Sequence, residues 1–160
     1  MRDLYNNIKT SVALAPQVIT SGSGTLTGAA IDIQGFDSLD FDAMAGTEAG
    51  VLCATAYYDI VLQGAEDDPA NIGTPLASTW ADVTDADDIL GTFVDAANGV
   101  IARFNDTTAT PGVVKVGYVG ATQAEVRFLR VLAVPVGVPG DLPIAVLASQ
   151  GKPHGMPVTQ

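Results

Sequence analysis

The sequence predicts an all-β fold, a single antiparallel β-sandwich or jelly-roll-like domain with an N-terminal arm. Three observations predict it. Short segments alternate apolar and polar residues with the period of two that a half-buried strand requires. Glycine (17) and proline (9) interrupt the chain at short intervals, so the segments between them are short. Finally, no long stretch repeats its apolar residues every 3.6 positions, and nothing supplies the helical crossovers that parallel strands need. A chain of 160 residues suits one domain and can bury roughly two-thirds of its unfolded surface without a disulfide or metal.

Residues 25–150 hold the predicted strands. Ala30–Gln34 and Leu39–Met44 alternate, and Gly35-Phe36-Asp37-Ser38 between them supplies turn chemistry. Cys53–Gln63 is the longest candidate, with Tyr58, Ile60 and Leu62 on one face and Tyr57, Asp59 and Gln63 on the other. The polar run Gly64–Asn71 reads as a loop, and Ser78–Val83 as a short strand in which Trp80, like Tyr58, is assigned to the core. One helical turn fits around Asp87–Leu90. Val113–Val119, Glu125–Val134 and Ile144–Ser149 complete the set. Arg127 and Arg130 take opposite faces of their strand, and whichever points inward requires a carboxylate, because a lone buried charge is prohibitively costly.

Residues 1–24 read as an arm with a Ser/Gly linker, and 151–160 as a tail. Leu4, Ile8 and Val12 fall at i, i+4 and i+8, a helical spacing, yet Pro16 and Ser21-Gly22-Ser23-Gly24 follow. A short helix or an extended arm fits both, either folded back on its own sandwich or lying on another subunit. With Arg2, Asp3, Asn6, Asn7 and Lys9, this segment lacks the apolar core of a secretory signal.

The hydrophobic fraction of 48% argues against disorder, although the net charge is −11. No apolar run approaches the roughly 20 residues of a membrane helix. Between Lys9 and Arg103 lie 93 residues with 14 carboxylates and no basic side chain. Phosphate backbones and anionic membranes are bound chiefly through Lys and Arg, so neither nucleic acid nor membrane is expected as a partner. Cys53 is the only cysteine, which suits a reducing cytoplasm, and it reads as a small buried hydrophobe.

Catalytic and cofactor constellations fail on inventory. The one histidine, His154, sits among prolines and glycines, a poor setting for a triad, and Cys53 with His154 cannot make a zinc site. Gly22-Ser23-Gly24 lacks the Gly-Lys-Ser/Thr ending of a phosphate loop. Glu66-Asp67-Asp68 and Asp85, Asp87 and Asp88 are acidic clusters, but the latter lacks the Gly and the bidentate Glu of a calcium loop. No enzyme, metal or cofactor is expected. A sugar-stacking platform built from Tyr57, Tyr58 and Trp80 is the binding-module alternative, weakened because Tyr57 and Tyr58 point to opposite faces.

Met1-Arg2-Asp3-Leu4, Leu14-Ala15-Pro16-Gln17-Val18-Ile19-Thr20 and Ile31-Asp32-Ile33-Gln34-Gly35-Phe36-Asp37-Ser38 resemble small structural proteins of tailed bacteriophages and gene-transfer particles. Ser78-Thr79-Trp80, Val83 to Leu90, Arg103-Phe104 and Gly151-Lys152-Pro153-His154 extend the resemblance over nearly the whole chain through loose, structural motifs. It implies a capsid decoration (cement) protein on the outer surface of the head, made in the bacterial host cytoplasm. Its implied partners are the major capsid protein and copies of itself, with a trimer favoured. No catalytic residue carries over. Leu4, Tyr5 and Ile8 are the expected shell or neighbour contacts. A vertex spike base, connector or tail part is the alternative within the virion, and a carbohydrate-binding surface module the alternative of another class.

Overall fold

The computed structural model describes residues 8–20, 22–50, 52–105, 112–120 and 125–153. Among these, the strands are β1 (Ile8–Ile19), β2 (Leu26–Thr27), β3 (Ile31–Asp32), β4 (Phe36–Ala45), β5 (Tyr57–Ala65), β6 (Ala81–Asp82), β7 (Ile89–Leu90), β8 (Val100–Phe104), β9 (Gly112–Tyr118), β10 (Phe128–Val136) and β11 (Leu142–Pro153). One sheet runs β1-β11-β4-β9-β7. The other is centred on β10 and β5, with β2 and β3 along the far side of β10 and β6 and β8 along the far side of β5. Every pairing is antiparallel. The fold is an all-β sandwich.

The order of pairing has a simple logic. Taking β2 with β3, and β6 with β8, as single broken strands, the pairs β1·β11, β2/β3·β10, β4·β9 and β5·β6/β8 are nested inside one another. A long hairpin with these rungs, rolled so that β11 meets β4 and β10 meets β5, gives two sheets in jelly-roll order. The turn Gln34-Gly35, with Gly35 at a φ of 87°, therefore does not close a hairpin. It carries the chain from β3 in one sheet to β4 in the other.

The core follows from strand parity. Leu39, Phe41, Ala43 and Ala45 of β4 face Tyr58, Ile60 and Leu62 of β5 across the sandwich, joined by Ile144, Val146 and Ala148 of β11 and by Leu129, Val131 and Ala133 of β10. Tyr58 is fully buried, and its hydroxyl donates to the carbonyls of Gly140 at 2.7 Å and Ile19 at 3.2 Å. Burial, with the Asp141 charge nearby, pushes Tyr58 up to about 12. Burial, with Asp88, does the same to Tyr118. Both phenols thus hold their protons more tightly folded than unfolded, where they titrate near 10. Their contribution is complete below pH 10 and is lost as pH rises from 10 towards 12, so urea midpoints are expected to fall across that window. The fall should be shallower in Tyr118→Phe.

Several expectations need correction. The boundary at 24/25 separates an arm from the sandwich, but residues 8–19 are the edge strand β1, hydrogen-bonded to β11 from Ile8↔Gly151 to Ile19↔Leu142. A four-residue spacing is an even offset, so Ile8 and Val12 share a strand face as readily as a helix face. Register shifts on either side of Leu14 accommodate Pro16 at an edge, where no partner needs its missing N–H. Leu4 and Tyr5 lie outside the described residues. The tail assigned to 151–160 begins as strand, since β11 continues to Pro153 opposite Phe36. The turn placed at Asp87–Leu90 is a 3-10 turn at Ala86–Asp88, capped by the Asp85 carboxylate, and Ile89 and Leu90 pair with β9.

Where β1 crosses towards the second sheet, Gly28 is packed so tightly that a Cβ there would lie 2.2 Å from the Ala13 carbonyl oxygen and 2.9 Å from that of Val131. The Gly28 N–H donates to Val131 at 2.8 Å, and that of Ala29 to Ala13 at 2.8 Å. Gly28→Ala must therefore separate the chain from both neighbours. A loss of at least about 1–3 kcal/mol is expected in urea denaturation.

Candidate functional site

The two outer faces of the sandwich differ in chemistry. On the second sheet the cations are neutralised or stacked in place. Arg103 donates two hydrogen bonds to Asp59, at 2.6 and 2.8 Å, and lies 4.3 Å from the Tyr57 ring centre. Arg130 donates to Gln63 Oε1 at 2.7 and 2.9 Å and covers Trp80 at 4.0 Å. Gln63 in turn donates to Asp82 at 2.8 Å. Asp59 holds Arg103 above the usual range, whereas burial beside the neutral Gln63 lowers Arg130.

Arg127, just before β10, closes one end of this sheet. It donates to both oxygens of Asp32, at 2.8 and 3.1 Å, and to Asp67. Burial pushes Asp32 up, but the Arg127 and Gln34 hydrogen bonds outweigh it and hold the carboxyl below its usual range. Asp32 comes from β3 and Asp67 from the loop after β5, so one guanidinium fastens segments that share no strand pairing. The required carboxylate partner of an arginine is thus found, twice over.

The acidic clusters also serve their own loops. Asp67 accepts from the Gly73 N–H and Asp68 from that of Ala70, each at 2.9 Å. No group of three or more metal-ligating side chains occurs among the described residues. His154 lies outside them. Cys53 is half-buried in a turn rather than in the core, and its hydrogen bond with Thr55 at 3.4 Å holds the thiol below its usual range. The aromatic platform is not assembled. Tyr58 is core, and Tyr57 and Trp80 each give a ring face to an arginine; Trp80, assigned to the core, is half-buried on the outer face because its stacking partner Arg130 faces outward.

The outer face of the first sheet is apolar over one half. Val12, Val18 and Val113 are 49%, 57% and 63% exposed. The register places Met44 and Ala145 beside Val113, Leu147 beside Val12, and Pro143 beside Val18, so these side chains form one continuous surface. A shallow groove of about 320 Å³ runs along it between Pro16, Val18, Met44, Pro143 and Ala145. Ile8 shares this face at the far end of β1. The other half is polar: Lys115 bridges Asp40 at 2.5 Å and Asp42 at 3.3 Å, and these contacts hold its ammonium above the usual range.

The sequence reading expected a wet outer face and did not single out this surface. The signal was in β11, where Leu142-Pro143-Ile144-Ala145-Val146-Leu147-Ala148 is apolar at both parities. A strand with one face in water has no use for that pattern.

No protein-family model and no characterised protein sequence matches the chain. Among solved structures it is similar to the SPBc2 prophage-derived protein YomS, at 10% identity and a TM-score of 0.45 over 91% of this chain and 94% of that one. It is also similar to VP2 of the infectious bursal disease virus subviral particle, at 14% identity and a TM-score of 0.28, where it spans 91% of its own length and 41% of the VP2 chain.

Proposed function

We propose that this chain is a virion structural protein, a decoration protein that adheres to the outside of a phage head and stabilises the shell. The observation that carries the reading is the continuous apolar half-face from Val12 and Val18 to Val113. Contiguous exposed apolar area on an acidic domain marks a contact surface. A flat sheet face with a shallow groove suits a broad protein surface better than a small molecule. Jelly rolls serve shells, lectins and enzymes alike, so the fold alone does not choose between them. The resemblance of the N-terminal and strand motifs to phage structural proteins supports the shell. Leu4, Tyr5 and Ile8 then belong to contacts with neighbours, and the major capsid protein lies under the apolar half-face.

The test is quantitative mass spectrometry of purified particles, counting this 16.4 kDa chain against the major capsid subunit. A ratio near one, or a simple fraction of it, is expected for a protein on the shell lattice. A ratio of a few per cent would transfer the chain to a vertex, connector or tail. Its absence from particles would overturn the virion reading.

A further inference from the structure

The two edges of the first sheet are guarded very differently. Along β1, Pro16 removes a donor, two register shifts bend the strand, and the Gly28–Ala29 segment crosses at Ala13. β9, towards the other edge, carries none of these devices. It pairs with β4 without a break from Gly112 to Tyr118, whereas β7 covers only Tyr118 and Gly117. The side of Gly112–Val116 that faces away from β4 therefore has no strand partner among the described residues. The Val119 N–H donates to Asp88 at 2.9 Å, on the β7 side, so by alternation the N–H and C=O groups of Val113 and Lys115 point to that side too. The segment, Gly-Val-Val-Lys-Val, is rich in β-branched residues and holds no proline. Lys115, the residue type that usually blunts an edge, is drawn back over β4 by Asp40 and Asp42.

We infer that this edge pairs with the same edge of a second copy, antiparallel about a two-fold axis at Val114. The segment selects its own register. Hydrogen-bonded pairs must join odd-numbered residues, and matching Val113 with the partner's Lys115, and Lys115 with the partner's Val113, uses Gly112–Val116 of both chains. Sliding two residues one way sets Lys115 against the partner's Lys115 and needs Gly117, which Leu90 already holds. Sliding the other way needs an N–H from Pro111, which has none. In the selected register Val114 lies opposite the partner's Val114 in a non-hydrogen-bonded pair, the closer kind, and a side chain left half-buried in the monomer gains cover. Val113, 63% exposed, gains the methylene stem of the partner's Lys115. A net charge of −11 opposes contact between copies in general, but along this edge the carboxylates behind β9 are already met by Lys115.

The chain's own link from β8 is too short to take this place. Phe104 belongs to the second sheet and Gly112 is already strand, so a hairpin returning opposite Lys115 would consume all of 106–111. Asn105 alone would then join it to Phe104, and two Cα steps cover about 7 Å against the roughly 10 Å between packed sheets. Five residues a side is well below a standard interface, so free chains associate weakly, and many copies held on one surface associate far more readily. The two-fold axis is perpendicular to the sheet, which leaves both outer faces on one side. The pair thus presents two apolar half-faces to the same surface. The pairing stands on the edge alone, whereas this consequence rests on the adhesive reading of that face. It makes the unit of association a pair, where the resemblance implied a trimer.

The experiment uses full-length chains in which Cys53→Ser removes the native thiol and Val114→Cys supplies a new one. Mild oxidation is expected to give a disulfide-linked homodimer on non-reducing gels, because facing residues of a non-hydrogen-bonded pair lie within disulfide reach. Ile72→Cys in place of Val114→Cys, 80% exposed on a loop, reports chance collision and should crosslink far more slowly. Val113→Pro, added to Val114→Cys, deletes two of the four main-chain bonds between copies at an N–H that the monomer does not use. The crosslinking rate should then fall at least about fivefold with an unchanged circular dichroism spectrum. A Val114→Cys band no stronger than that of Ile72→Cys, or one unmoved by Val113→Pro, would overturn the pairing. Sedimentation velocity of the native chain at rising concentration should show dimer and nothing larger. A ladder of higher oligomers would overturn the two-fold arrangement in favour of head-to-tail association. None of these measurements uses heads, so the particle count tests the virion reading separately.

Discussion

Phe41→Ala is expected to lower the free energy of unfolding by about 3–5 kcal/mol. Phe41 is fully buried in the middle of β4, paired with Ala148 on one side and Val116 on the other. Its ring fills the space between the sheets over two smaller neighbours. Those neighbours, in β11 and β9, are fixed by continuous ladders to β4, so little can move in to close the cavity. A domain of this kind is stable by about 5–15 kcal/mol, so the loss is a large fraction of the whole. Urea titration should show a lower midpoint with an unchanged slope. A cost under about 1 kcal/mol would show that the two sheets can approach each other freely.

Val18→Asp combined with Val113→Asp is expected to abolish binding to particles while leaving the sandwich folded. Both side chains are more than half exposed, so the cost to the fold is limited to strand preference, about 1 kcal/mol. At a dry interface each new carboxylate would instead be buried without a partner, at about 1–3 kcal/mol or more. Two such penalties correspond to at least about 30-fold weaker binding. Co-sedimentation with heads reads the loss, and circular dichroism reads the fold. Undiminished co-sedimentation would move the contact elsewhere on the molecule.

Strand parity made most of the framework legible. Leu39 to Asp42 alternates cleanly, and it, Tyr58 to Leu62 and Val113 to Val119 each lie within or close to an observed strand. Partner choice was not legible. Ile31-Asp32 and Phe36–Ala45 are separated by a turn and look like a hairpin, yet they enter different sheets, because β3 finds β10 and β4 finds β11 and β9. Nothing local distinguishes these outcomes. The edge strand β7 was missed for the same reason. Ile89-Leu90 pairs over only two residues, too few for any periodicity to register, whereas Ala81-Asp82 falls within the strand predicted at Ser78–Val83. The apolar half-face was visible only as Ala145 and Leu147 at the wrong parity, a pattern meaningful once the outer face of β11 is known. Arg127 was marked as needing a carboxylate, but Asp32 and Asp67 lie 95 and 60 residues away and meet it only through the roll of the fold.

That roll also fixes when the protein can fold. β11 lies between β1 and β4, so among the described residues β1 has no sheet partner until β11 has been made. β10 stands in the same relation to β2 and β3. The pairs β5·β8 and β4·β9 can form earlier, but neither sheet is complete without β10 or β11, so folding of the sandwich waits for loop closures spanning most of the sequence. Chains with pairing this distant fold slowly, in milliseconds to seconds, with their edges open meanwhile. The interval before β11 pairs is therefore when this chain is most exposed to aggregation, and chaperone dependence should be greatest for nascent rather than mature protein.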